Sequence, residues 1–248
     1  MRLLFAAVLA VCLNALALAA RAEDFVVIES SVASLPAGAA VSASTHVEVP
    51  ASGRVVLAAP SGRVVTINGP FAGAPPGAAE GTASGSSDVL RTLSALLGNA
   101  DQRKALGAVR ATDVAWRQES VKSAADVLAI DTTDGGDACI YDQSKPMLAH
   151  NPSRHGQMSI ESMTGGDKAS IEWPKDTAHL PWPATLPIND GDAFVFQQVG
   201  EDAAAIVTIH VLPAASAASE LDRAAQMAQA GCRDQARLLL AYIAKSAK

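Results

Sequence analysis

Trp173 and Trp182 stand nine residues apart, each followed by proline, and enclose a lone histidine, His179. Two of the three tryptophans in the chain therefore frame a single loop. Each proline withholds a ladder hydrogen bond and forces extended geometry on the indole-bearing residue before it. Exposed indole faces held this way could stack on a carbohydrate or a peptide, which makes Trp173, His179 and Trp182 the candidate ligand or partner loop. The alternative is that both rings cap the open end of a β-domain, because a chain with only 4% aromatic residues needs its large side chains for burial.

The best gathering of oxygen donors is Asp131-Thr-Thr-Asp134-Gly-Gly-Asp137; Gly165-Gly166-Asp167 and Asn189-Asp190-Gly191-Asp192 are turn chemistry of the same kind. Three carboxylates beside a double glycine could hold a hard cation such as calcium, although the spacing is not that of an EF-hand and the closing Glu is missing. A plain acidic turn, with Gly supplying positive φ and the Asp side chains bonding back to the backbone, explains the same residues. His150 and His155 give two imidazoles in one loop, short of the three or four ligands that zinc requires. No G-x-S-x-G elbow, P-loop, G-x-G-x-x-G or H-E-x-x-H occurs in the chain, so no cofactor is expected. Paired carboxylates for glycoside hydrolysis stay open among 25 acids, since their spacing in three dimensions is not visible in one.

The cysteines speak about compartment. Arg2, an apolar run from Leu3 to Ala20 and the small-x-small end Ala20-Arg21-Ala22 form an expected cleavable export signal over residues 1–22. An uncleaved anchor and a lipoprotein signal ending at Cys12 are the rival interpretations. Export leaves Cys139 and Cys232, and an oxidising compartment favours their pairing over two buried thiols. The formal charge is −6, and cleavage after Ala22 would remove two arginines and leave the product more acidic still. Such a chain is a poor nucleic-acid binder, and with no second long apolar run no membrane insertion is expected after cleavage.

The elements that must position these residues are mostly strands. Phe25 to Ile28 is a continuous apolar strand, and Val41, Ala43, Thr45, Val47 and Val49 alternate as a half-buried strand does. Turns at Ser52-Gly53 and Ser61-Gly62 lead to neighbours carrying Leu57, Val65 and Ile67. Residues 23–70 thus form a small β-module. The Gly, Pro, Ala and Ser of residues 71–86 suit a flexible tether. Ser87 then caps a short amphipathic helix with Leu90, Leu93 and Leu97 in its stripe, and Asp101–Val109 could form a second. Together these make residues 71–110 a linker-and-helix segment.

Over residues 111–212, DVLAI, ACIYD, PMLAH, MSIES, ASIEW, AFVFQQV and AAAIVTIHVL are strand-like runs separated by turn chemistry, as in a β-sandwich. Residues 213–248 form a helical end in which Leu221, Ala225, Ala228, Cys232, Ala236, Leu239 and Ile243 recur at helical spacing and Gly231 offers a break. The expected class is mainly β: a small module, a larger sandwich, an amphipathic linker helix and a helical C-terminus stapled through Cys232 to the domain carrying Cys139.

The first module, with Gly38 opening a run of strands and the repeat in Gly53-Arg-Val-Val-Leu-Ala-Ala-Pro-Ser-Gly62-Arg-Val-Val, resembles the FecR-like periplasmic β-domain. The remainder, with Glu-Trp173-Pro, Pro-Trp182-Pro, Asp-Gly-Asp-Ala-Phe and the Cys232 helix, looks like uncharacterised exported proteins of Gram-negative bacteria. The resemblance implies a periplasmic, non-enzymatic binding protein that meets another envelope protein, such as a membrane sensor. An envelope hydrolase acting on carbohydrate or peptidoglycan is the alternative, and a structural envelope component with no discrete site is a third possibility.

Overall fold

The computed structural model describes residues 24–77, 87–98, 111–141, 146–214 and 217–247, with 111–115 given by backbone alone. The expected leader and the helix expected at Asp101–Val109 lie outside the described residues, as do residues 78–86 of the expected tether. What is described is mainly β, with helices gathered on one side.

Strand β1 (Phe25–Ser30) is apolar on both faces because both are covered. It lies inside a four-stranded sheet ordered β2-β1-β4-β5, with β2 Ala40–Val41, β4 Arg54–Ala58 and β5 Val64–Asn68, and all its pairings are antiparallel. A second, two-stranded sheet pairs β3 (Val47–Val49) with β6 (Phe71–Gly73). Phe25, Val27, Val41, Val47, Val49, Val55, Leu57 and Ile67 fill the space between these layers. The single strand expected over Val41–Val49 is in fact two. Ser42 and Thr45 hydrogen-bond to one another through side chains and backbone, and that local turn outcompetes the ladder. The first residues of the expected tether are also structured, since Phe71–Gly73 is strand β6.

The other face of β1 and β4 meets helices. Val26, Ile28, Val56 and Ala58 share one core with Leu93 and Leu96 of α1 (Ser87–Gly98). The same core takes in Leu221 and Met227 of α4 (Glu220–Gln229), and Leu239 and Leu240 of α5 (Arg233–Ser246). Gly38 fixes the approach of α1: its φ is +88°, and a Cβ there would lie 2.7 Å from the Gly98 nitrogen. The helical pair divides at Gly231, with φ +101°. Ser219 caps α4 by accepting from the Asp222 amide at 3.1 Å.

The larger β-unit is a two-layer sandwich. Its five-stranded sheet runs β11-β10-β13-β14-β8, and a three-stranded sheet, β12-β9-β7, covers one face. The strands are β7 Ile130–Asp131, β8 Gly136–Tyr141, β9 Met147–Ala149, β10 Gly156–Ser162, β11 Lys168–Trp173, β12 His179–Pro181, β13 Ala193–Gln198 and β14 Ala204–Leu212. The β8–β14 and β7–β9 pairs are parallel and the rest antiparallel. Met158, Ile160, Phe194, Phe196, Val207 and Ile209 alternate inward against Ile130 and Leu148. On the far face Cys139 and Tyr141 of β8 enter the helical core instead.

Three details differ from the sequence expectation. The stretch before β7 is helical, with α2 at Ala111–Ser120 and the single turn α3 at Ala124–Val127. There Asp126, placed at the start of an expected strand, completes a capping box with Ser123. The third difference is β12, a strand built from His179 itself.

Candidate functional site

The three-stranded sheet sets His179 in place. Register puts Leu180, Leu148 and Ile130 in one row, all turned into the sandwich core, so the adjoining row of His179, Ala149 and Asp131 faces the other way. Ala149, the small middle residue, is fully buried. Arg117 of α2 reaches this row: its Nε lies 3.5 Å from Asp131 Oδ2 and its Nη2 donates to the Ala129 carbonyl. It is 7% exposed, its Nη1 has no partner among the described residues, and burial pulls its pKa down against the opposing pull of Asp131 and Asp126.

His179 shares this setting, and its Nε2 is likewise buried without a partner among the described residues. Burial lowers its pKa first, and the nearby positive charges of Arg117 and Lys122 lower it further against Asp126. Burial acts to raise Asp126. The amides of Lys122 and Ser123 and the Ser123 hydroxyl outweigh that, so its carboxyl sits below the usual range. The result is a neutral imidazole beside a buried cation and a capped carboxylate.

The two tryptophans turn inward. Trp173 is 1% exposed, donates from Nε1 to the Thr177 carbonyl at 2.7 Å, and packs its ring 5.0 Å from that of His150. Trp182 donates to the Leu186 carbonyl at 2.7 Å and meets Phe194 edge-on at 4.9 Å. Trp173 therefore offers no open face, and Trp182 spends its ring on the core while His179 stands on the outer row. His150 is buried, its Nδ1 2.8 Å from Thr132 Oγ1, and its pKa is lowered by burial and then by Arg154.

The acidic turn is divided among other tasks. Asp131 accepts from the Thr133 amide and faces Arg117, Asp134 lies exposed at the turn, and Asp137 pairs with His210 Nε2 at 2.8 Å. Among the described residues no three His, Cys, Asp or Glu side chains converge as metal ligands would. Cys139 and Cys232 are bonded, with Cα atoms 5.8 Å apart. Buried Gln235 completes that junction. It accepts from the Cys139 amide at 2.6 Å and donates to the Cys139 and Val127 carbonyls at 3.3 and 3.2 Å. Sequence reasoning missed Gln235, although a Gln three residues after Cys232 inside an apolar stripe is a signal that something polar waits opposite.

A concave surface lies elsewhere, where β1, β4, the end of α2 and α5 meet. A groove of 490 Å³ is lined by Leu238, Ala241 and Tyr242 of α5 on one side and by Gln118, Glu119 and Val121 on the other. Glu29 and Arg54 close one end as an ion pair, and Arg54 Nη2 also donates to the Ala244 carbonyl at 2.8 Å. A cation at the C-terminus of α5 suits the helix dipole, so the side chain that walls the groove also anchors the helix. Arg54 and Arg117 escaped sequence reasoning because their partners lie on distant or unassigned elements. No family model, curated protein or solved structure matches this chain.

Proposed function

We propose that this chain is an exported, soluble, non-enzymatic binding protein of the bacterial envelope, a periplasmic partner of a membrane protein, and that the 490 Å³ groove receives a polypeptide segment of that partner. The groove carries the proposal. Its lining is apolar at Val121, Leu238 and Ala241, and exposed Glu119 and Lys245 offer both signs of charge, a combination suited to a peptide and of little use to a small apolar ligand. The Cys139–Cys232 bond and the absence of any membrane-crossing helix among the described residues support the exported, soluble part of the reading. The FecR-like resemblance of residues 23–70 supports a membrane sensor as the partner.

The hydrolase alternative has less behind it. Of the acids about the tryptophan loop, Glu172 and Asp176 are exposed, Asp131 faces Arg117, and Asp126 serves a helix cap and is held low where a general acid must be held high.

A photocrosslinking side chain at exposed Gln118, in cells of the native host, tests the proposal. One dominant adduct with an envelope protein is expected, lost when Ala241→Arg fills the groove and absent when the probe stands at Gln157 on the far sheet. No adduct, or the same adducts from both positions, would refute it.

A further inference from the structure

We infer that a second hollow, between α1 and the start of α5, binds a small organic oxyanion, a molecule carrying a phosphate or carboxylate group. The hollow measures 420 Å³, and three arginines, Arg91, Arg233 and Arg237, are among its lining residues. Their convergence runs against the composition, since acids outnumber Lys and Arg by 25 to 19 over the whole chain.

The donors are only partly spent. Arg91 pairs with Asp88 at 2.6 Å and Arg237 with Asp234 at 2.8 Å, and both carboxylates are well exposed, at 63% and 94%. Pairs of this kind are weak and leave most of each guanidinium fork open. Arg237 Nη2 donates to the Leu96 carbonyl at 3.3 Å, which fixes the side chain, while its Nε is buried with no partner among the described residues. Arg233 has no side-chain partner among the described residues and is exposed. As the first residue of α5 it stands at the positive end of that helix, whose N-cap, Cys232, makes no side-chain cap hydrogen bond. Planar guanidinium forks match carboxylate and phosphate geometry. Ala95, Leu96 and Ala228 line the rest, giving an organic body apolar contact in a space larger than a bare ion fills.

This site is independent of the peptide groove. Calorimetric titration of the full exported chain with inorganic phosphate, glycerol 3-phosphate and citrate tests it, at constant ionic strength set by chloride. Saturable binding of at least one probe is expected, and which probes bind separates a phosphate from a carboxylate ligand. Arg233→Gln, which breaks no described contact, is expected to weaken that binding about tenfold or more. Lys175→Gln, an exposed change of equal charge on the sandwich, is expected to leave it unchanged. The inference is overturned by an absence of saturable heat up to about 10 mM of every probe, by an Arg233→Gln affinity equal to that of the parent, or by an equal loss in Lys175→Gln.

Discussion

His150 and His179 are both held below the usual histidine range by burial, reinforced by Arg154 in one case and by Arg117 in the other. The folded state thus binds these protons less readily than the unfolded chain, whose histidines titrate near 6.5. Their contribution to stability is complete above that value and is lost as pH falls through the window below it, because the unfolded state then takes up more protons. Urea unfolding between about pH 7 and pH 5 is expected to show stability falling with pH, and His179→Gln should flatten the slope. An unchanged slope would mean that His179 titrates normally. Trp173 makes a second residue-scale prediction. Since its ring is core, Trp173→Ala should cost about 3 to 5 kcal/mol in chemical denaturation, and a stable Trp173→Ala protein that had lost only a ligand would contradict its burial. The sequence marked Trp173, His179 and Trp182 as unusual, but not which way they point. Ring direction depends on His150, Phe194 and Thr177, contacts that follow from sheet register and not from local spacing.

At the level of elements, the legible parts were those with a strict period or a committed turn residue. The alternation in β10, β13 and β14, the stripe of α1 and the break at Gly231 were all readable, because each is enforced by a buried face or a backbone angle. Where local bonding competed with pattern, the reading failed. Ser42 and Thr45 split one strand, and Ser123 with Asp126 turned an expected strand into a capped helical turn. Helix α2 has only a modest apolar face, so nothing periodic announced it. Gly231 tests the positive account. Its φ is +101°, so Gly231→Ala is strained by the backbone, while the added Cβ would meet the Asp137 carboxyl at an ordinary contact distance of 3.5 Å. A loss of about 1 kcal/mol or more in urea unfolding is expected, and a neutral or stabilising result would show that the α4–α5 corner tolerates another backbone angle.

The whole molecule is tied together through its C-terminal helices. One core holds Val26 and Val56 of the first sheet, Leu93 of α1, Met227 of α4, Leu240 of α5 and Tyr141 of the sandwich. Polar ties run the same way: Thr66 donates to the Ala247 carbonyl at 2.6 Å, and Gln235 joins α5 to β8 beside the disulfide. The helices are therefore the shared wall of two β-units that the composition of residues 71–86 would separate. A tether poor in apolar residues says that a segment buries little; it does not say that its flanks are apart. Calorimetric unfolding should give one cooperative transition with equal calorimetric and van't Hoff enthalpies. Cys139→Ser with Cys232→Ser should lower its midpoint without splitting it, with a loss of stability of at most about 4 to 5 kcal/mol for a crosslink of this span. Gln235→Leu should also lower it, since the Cys139 amide and two carbonyls lose their partner. The fragment 24–77 alone should fail to fold, because Val26, Ile28, Val56 and Ala58 would face water. Two resolved transitions, or a folded 24–77 fragment, would mean that the first module is autonomous and that the helices merely rest on it.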